Sequence, residues 1–157
     1  MPKIHIRAVG RIGSGWAKEA CAEYTKRLSV FGGIEIVELP EGHKGSITPD
    51  ITRTRLAESE SLLKNISEQD MVIALNETGN EYTSVQFADL ISSCIMEGKN
   101  IVFVIGGSWG LDKAVLARAN KKLSFGRMTY PHSLARVILL EQIYRAKMIA
   151  NGREYHK

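Results

Sequence analysis

The sequence has little cysteine, no long apolar run and no strong excess of either charge. Only Cys21 and Cys94 occur, each inside a helix-like stretch and without Cys-x-x-Cys spacing, which disfavours a disulfide scaffold and favours two reduced, packed thiols. The longest apolar runs, such as Ile101 to Ile105 and Val137 to Leu140, are about five residues, against roughly 20 needed to cross a bilayer. No membrane span is expected. Met1 to Gly10 alternates like a strand and holds no apolar core before a cleavage site, so it does not read as an export signal, and a cytoplasmic address is the expectation. The four histidines, His5, His43, His132 and His156, have no metal-type spacing, so no metal is expected. Repeats and low-complexity tracts are absent too.

What is there is an ordinary globular composition: 157 residues, 44% hydrophobic and 24% charged. That suits one domain over residues 1–157 with a sizeable core. Lys and Arg number 21 against 17 Asp and Glu, a net +4 with pI ≈ 9.1. This mild positive balance is compatible with a polyanionic partner and decides nothing alone.

Strand-like and helix-like segments alternate. Lys3 to Val9 alternates as a strand, and Trp16 to Leu28 carries apolar positions at helical spacing. Ile34 to Leu39 is a second alternating strand stopped by Pro40, and Glu41 to Pro49 is a polar loop. Asp50 to Ile66 is rich in charge and reads as a solvent-facing helix, followed by a buried-type strand, Met71 to Leu75. Thr83 or Ser84 can cap a helix running to Met96, where Gly98 ends it. Ile101 to Ile105, a continuous β-branched and aromatic run, suits a central strand buried on both faces. A short helix over Asp112 to Ala119, a strand over Lys122 to Phe125 and a long helix from Pro131 or His132 to Asn151 complete the order. Five strands alternating with helices predict an α/β fold, a mostly parallel sheet in three αβα layers.

Several familiar motifs fail. Gly10 to Gly15 invites a dinucleotide-binding reading with Glu38 as ribose partner, but Arg11 and Ile12 occupy the tight positions. The same segment lacks the Lys and Ser/Thr of a phosphate-binding loop, having Trp16 and Ala17 there. Ser108, in Gly107-Ser108-Trp109-Gly110, is outside a nucleophile elbow.

Three segments survive, each following a strand: Leu75 to Gly79, Ile105 to Leu111, and Leu123 to Thr129. In a parallel sheet such loops converge at the strands' carboxyl ends, and their glycines let backbone amides approach a ligand. Tyr130-Pro131-His132 then opens the long helix.

With these residues in view, the chain resembles the SPOUT class of knotted RNA methyltransferases, and within it the small bacterial members that methylate N3 of a pseudouridine in large-subunit ribosomal RNA. The resemblance covers nearly the full length. It is carried by Ala8-Val9-Gly10, Glu23-Tyr24 with Arg27-Leu28, Ile105-Gly106-Gly107 with Gly110-Leu111, Leu123-Ser124, Met128-Thr129 with Pro131-His132, Arg136-Val137, Glu141 to Ala146, and Tyr155-His156-Lys157. It implies a deep trefoil knot within about residues 70–157 and S-adenosylmethionine as cofactor. The implied cofactor contacts are Leu75, Gly106, Gly107, Gly110, Leu123, Ser124, Phe125, Gly126, Arg127 and Met128. Those in the knot loops that vary across the family, Phe125 to Arg127, are less firmly carried over than the glycines.

Methyl transfer from a sulfonium needs alignment and removal of one proton from the pseudouridine imide. His132, His156 and Glu141 are candidate bases, each able to contribute about 10²- to 10⁴-fold. Arg136 and Arg145 can hold phosphate or the developing anion, and Tyr155 can stack on a base. Against these stand plain structural readings: His132 as a helix cap, Glu141 with Arg145 as an i,i+4 ion pair. The resemblance implies that the tail closes over the active site and that the protein is a homodimer acting on ribosomal RNA or the ribosome. Arg7, Arg11, Lys18, Lys26, Arg27, Lys44 and the tail are the candidate RNA-contacting cations. The competing readings are a SPOUT enzyme acting on another RNA or atom, a non-catalytic RNA-binding or ribosome-assembly module, and a nicotinamide-binding oxidoreductase.

Overall fold

In the computed structural model, which describes residues 1–13, 15–43 and 50–157, five strands and five α-helices follow one another among the described residues. They are β1 (Ile4–Val9), α1 (Trp16–Leu28), β2 (Glu35–Leu39), α2 (Ile51–Leu63) and β3 (Met71–Asn80). Then come α3 (Ser84–Met96), β4 (Ile101–Ile105), α4 (Lys113–Arg118), β5 (Lys121–Leu123) and α5 (His132–Ala150). The strands form one sheet in the order β2-β1-β4-β3-β5, every neighbouring pair parallel. β4 is central and every residue of it is buried, as its apolar run predicts.

Period-two alternation sorts the side chains into two cores. Ile4, Ile6, Ile73, Ile101 and Phe103 face α1, α3 and α5, which contribute Cys21, Phe87, Ile91, Leu139 and Ile143. Val9, Val72, Ala74, Val102 and Val104 face the other side with Leu62 of α2 and Val115 of α4. The three-layer arrangement follows. Both cysteines are free and buried, and burial pushes both thiols up.

The helix starts follow capping chemistry. Thr83 and Gln86 form a reciprocal capping box on α3. Asp50 caps α2 and Asp112 caps α4.

Three expectations are corrected. α2 is not solvent-facing: Thr54, Glu58, Ser59 and Leu62 are buried beneath it, because one polar face closes the layer over β1 and β2. β3 does not end at Leu75 but runs to Asn80, and β5 stops at Leu123, two residues short of Phe125. Leu123 aligns with both Leu75 and Asn80, so the intervening residues 76–79 leave the ladder as a bulged hook packed against the Lys122 backbone. Of the expected loop 41–49, residues 44–49 lie outside the described residues, and with them Lys44.

Candidate active site

β3 feeds α3 on one face of the sheet, while the adjacent β4 feeds α4 on the other. Loops diverging from neighbouring strand ends leave a crevice there, where ligands of open α/β sheets bind.

Its walls are backbone-rich. Residues 76–79 close on the chain at Lys122: a Cβ at Gly79 would lie 2.7 Å from the Lys122 carbonyl carbon and oxygen. The Ser124 amide donates to the Asn80 carbonyl at 2.9 Å, and its hydroxyl reaches the carbonyls of Glu77 and Gly126 at 3.0 Å each. The same hydroxyl accepts from the Gly126 amide at 3.0 Å, and Gly126 takes φ +114°, which favours glycine. After β4, Gly110 donates to the Gly107 carbonyl at 3.1 Å, and a Cβ at Gly106 would meet the Gly110 carbonyl carbon at 2.9 Å. The resulting turns present main-chain groups rather than charges at this edge of the sheet.

Beside these turns is a cavity of about 360 Å³, large enough for a nucleoside-sized ligand. Leu123, Ser124, Phe125 and Gly126 line it. Leu75, Gly106, Gly107, Gly110, Arg127 and Met128 stand at the same edge of the sheet without lining that cavity. Its opposite wall was not anticipated from sequence: Tyr82, Ser84 and Phe87 from the start of α3, Tyr130, and Ile138 and Gln142 from α5. Only the aromatic residues beside the loops could have signalled it.

The five candidate catalytic residues form two groups. His132 opens α5, where no side chain caps the helix, and its Nδ1 is buried without a hydrogen-bond partner among the described residues. The ring is stacked close to Gly10, 3.4 Å from the position of an added Cβ. One turn on, Arg136 is 2% exposed and its guanidinium donates to Glu38 Oε2 at 2.7 Å and to the Gly10 carbonyl at 3.1 Å. Glu38 also accepts from the Ile12 amide at 2.9 Å. Arg136 thus fastens the turn after β1 from inside and has little reach toward a ligand.

The second group is at the other end of α5. Arg145 pairs with Glu141 at 2.6 Å and touches His156 Nδ1 at 3.3 Å, and its guanidinium covers the Tyr155 ring at 4.7 Å. Tyr155 donates to Glu141 Oε1 at 3.1 Å and packs edge-on against Tyr144. Burial, then hydrogen bonding to Tyr24 and the charge of Glu141, push the Tyr155 phenol up to about 12. It stays a neutral donor. Glu141 also accepts from Gln142 at 2.9 Å, and Gln142 accepts from Ser84 at 2.8 Å, which joins the tail cluster to the cavity wall. His132 and Arg145 are thirteen positions apart on one helix, about 20 Å, so the groups do not meet within one chain.

Among the candidate RNA-contacting cations, Arg11, Lys18, Lys26 and Arg27 are exposed. Arg7 instead donates to the Leu62 and Lys64 carbonyls at the end of α2. No three His, Cys, Asp or Glu among the described residues gather as metal ligands, and no described helix is long and apolar enough to cross a membrane.

The fold resembles solved methylases: a probable methylase family protein from Haemophilus influenzae matches with TM-score 0.55 and 13% identity, over 99% of this chain and 71% of that one. A probable rRNA-methyltransferase from Porphyromonas gingivalis matches with TM-score 0.52 and 12% identity, over 95% and 69%. These likenesses establish the architecture. The family model for predicted SPOUT methyltransferases matches residues 2–156, and the chain belongs to that family. Among its sequence relatives, proteins called ribosomal RNA large subunit methyltransferase H are 44% identical in Anaeromyxobacter and 45% in Carboxydothermus hydrogenoformans, each over 99% of both chains.

Proposed function

We propose that this chain uses S-adenosylmethionine to methylate N3 of a pseudouridine in large-subunit ribosomal RNA, as a homodimer with a knotted cofactor site. The observation that carries the reading is the hook of residues 76–79 against Lys122 and Leu123, sealed by Ser124. This close packing of the β3 end against the β5 end is consistent with a knotted site and supports a rigid main-chain cradle at the ligand edge.

S-adenosylmethionine supplies an electrophilic methyl carbon. The turns at Gly106 and at Leu123 to Met128 bind it through backbone groups, and the apolar wall of Phe87 and Ile138 excludes water. The protein's remaining work is to align the base and take the N3 proton. His132 Nδ1, buried and unpartnered, supports a proton-accepting role; Arg145, ordered by Glu141, supports stabilisation of the deprotonated ring.

The separation of His132 from Arg145 favours a site completed by two chains. Ile138 and Gln142, which line the cavity, lie between the two groups on α5. In a twofold dimer, the tail cluster of one protomer reaches the His132 end of its partner. From His132 to Ile149 every α5 residue is buried or half-buried, which supports a covered helix.

The decisive experiment incubates the protein and labelled S-adenosylmethionine with ribosomes lacking the modification, then maps the methyl group by mass spectrometry of the RNA. Label at pseudouridine N3 is expected. Label at another atom or RNA favours a different SPOUT activity, and cofactor binding without transfer to any RNA refutes the reading.

A further inference from the structure

Glu58 is the one ionisable side chain on the buried face of α2. It is 3% exposed, and its Oε1 is buried without a hydrogen-bond partner among the described residues. Among the described residues its polar contact is a long one, 3.4 Å from the Gly42 amide to Oε2. An aliphatic side chain would fill this space without the cost of burying a carboxyl group, so stability gives no reason for an acid here.

The carboxyl touches two turn glycines from different strands. A Cβ on Gly107 would lie 2.9 Å from Oε2 and 3.2 Å from Oε1; one on Gly42 would meet Glu58 Cγ at 3.1 Å and collide with the Thr54 carbonyl oxygen. One side chain is therefore wedged between the segment after β2 and the turn after β4.

We propose that Glu58 is a positioning residue for the methyl-transfer reaction, its buried side chain locking the Glu41–His43 segment to the Gly106–Gly107 turn so that the turn is preorganised for cofactor. This rests on the reading of Gly106–Gly107 as a cofactor turn. Burial pushes the Glu58 carboxyl up, the Gly42 amide opposes this, Glu41 adds to the rise and His43 offsets it. Those are the titratable groups facing it from the segment after β2. From the other elements it meets Gly107, and Arg55 of its own helix is engaged with the Trp109 carbonyl at 2.6 Å. As pH rises through the raised pKa, the carboxyl ionises in a dry wedge and the lock loosens.

Calorimetric titration of the full-length wild type, Glu58→Gln and Glu58→Ala with S-adenosylmethionine, from mildly acid to mildly alkaline pH, tests this. Glu58→Ala is expected to bind roughly tenfold more weakly, with a raised cofactor KM and little change in kcat. Glu58→Gln, a neutral isostere, should keep wild-type acid-pH affinity and lose the decline with rising pH. Hydrogen exchange of the cofactor-free proteins should show faster amide exchange at Gly42 and Gly107 in Glu58→Ala only. Wild-type affinity in Glu58→Ala, or an unchanged pH profile in Glu58→Gln, overturns the proposal. Wild-type protein that binds no cofactor at any pH overturns the cofactor-turn reading and takes this one with it, whereas the exchange data separate that failure from the loss of the lock itself.

Discussion

Arg136 and Arg145 stand about two and a half turns apart on one helix and do different work. Arg136 is buried while its partner Glu38 is 38% exposed, so solvent screens part of the pair, and removing the carboxylate leaves a buried guanidinium held by the Gly10 carbonyl. Glu38→Gln should lower stability by about 1 kcal/mol in urea denaturation near neutral pH. For Glu38, burial pushes the carboxyl up, but the Arg136 hydrogen bond, the Ile12 amide and the charges of Arg136 and Arg11 together bring it below its usual value. A lowered folded pKa means this contribution is present above the unfolded carboxyl pKa and lost as pH falls through the folded one. The gap between wild type and Glu38→Gln should therefore close in acid, and parallel urea titrations over pH would show it. Arg145 is instead reached by solvent and by the tail. Tyr155→Phe removes only the donor to Glu141 and keeps the ring against Tyr144. It should reduce methyl transfer roughly tenfold with cofactor affinity unchanged, whereas an unchanged rate would remove the tail from the reaction.

At the scale of elements, the order and type of segments were legible because burial writes a period into each. The helix expected over Trp16 to Leu28 and the strand expected over Ile101 to Ile105 are found at those residues. Two elements resisted. α2 hides its buried face behind Thr54, Glu58 and Ser59, polar residues that no hydrophobic period registers. The extension of β3 past Leu75 depends on a partner segment some forty residues away in sequence, and no local pattern reports such a pairing. The hook makes Gly79 a sensitive point: Gly79→Ala drives a methyl group into the Lys122 backbone. A loss of about 1–3 kcal/mol is expected, with a lowered Tm and weakened binding of S-adenosylmethionine. A wild-type Tm and affinity in that variant would show that the hook has room to spare.

For the whole molecule, the two-group arrangement on α5 makes a prediction about pairs of chains. His132→Ala and Arg145→Ala should each be inactive alone. If each site takes His132 from one protomer and Arg145 from the other, mixing the two after unfolding and refolding restores one intact site in each mixed dimer. Random pairing makes about half the dimers mixed, so recovery of about a quarter of wild-type activity is expected. No recovery in a mixture shown by mass spectrometry to contain mixed dimers would confine the site to one chain.

The sequence by itself determined the α/β class, the five strands, the glycine-rich turns after them and, through motifs in fixed order along nearly the whole chain, the SPOUT family. These are local or ordered properties, and each leaves a mark in residue type and spacing. Only the tertiary structure decided that Arg136 faces inward to Glu38 rather than outward, that Tyr82, Phe87 and Gln142 form the far wall of the cavity, and that Glu58 is wedged beneath the turn at Gly107. Each of those depends on which face of one element meets another, and a charged side chain reads the same in sequence whether it ends in water or in the core.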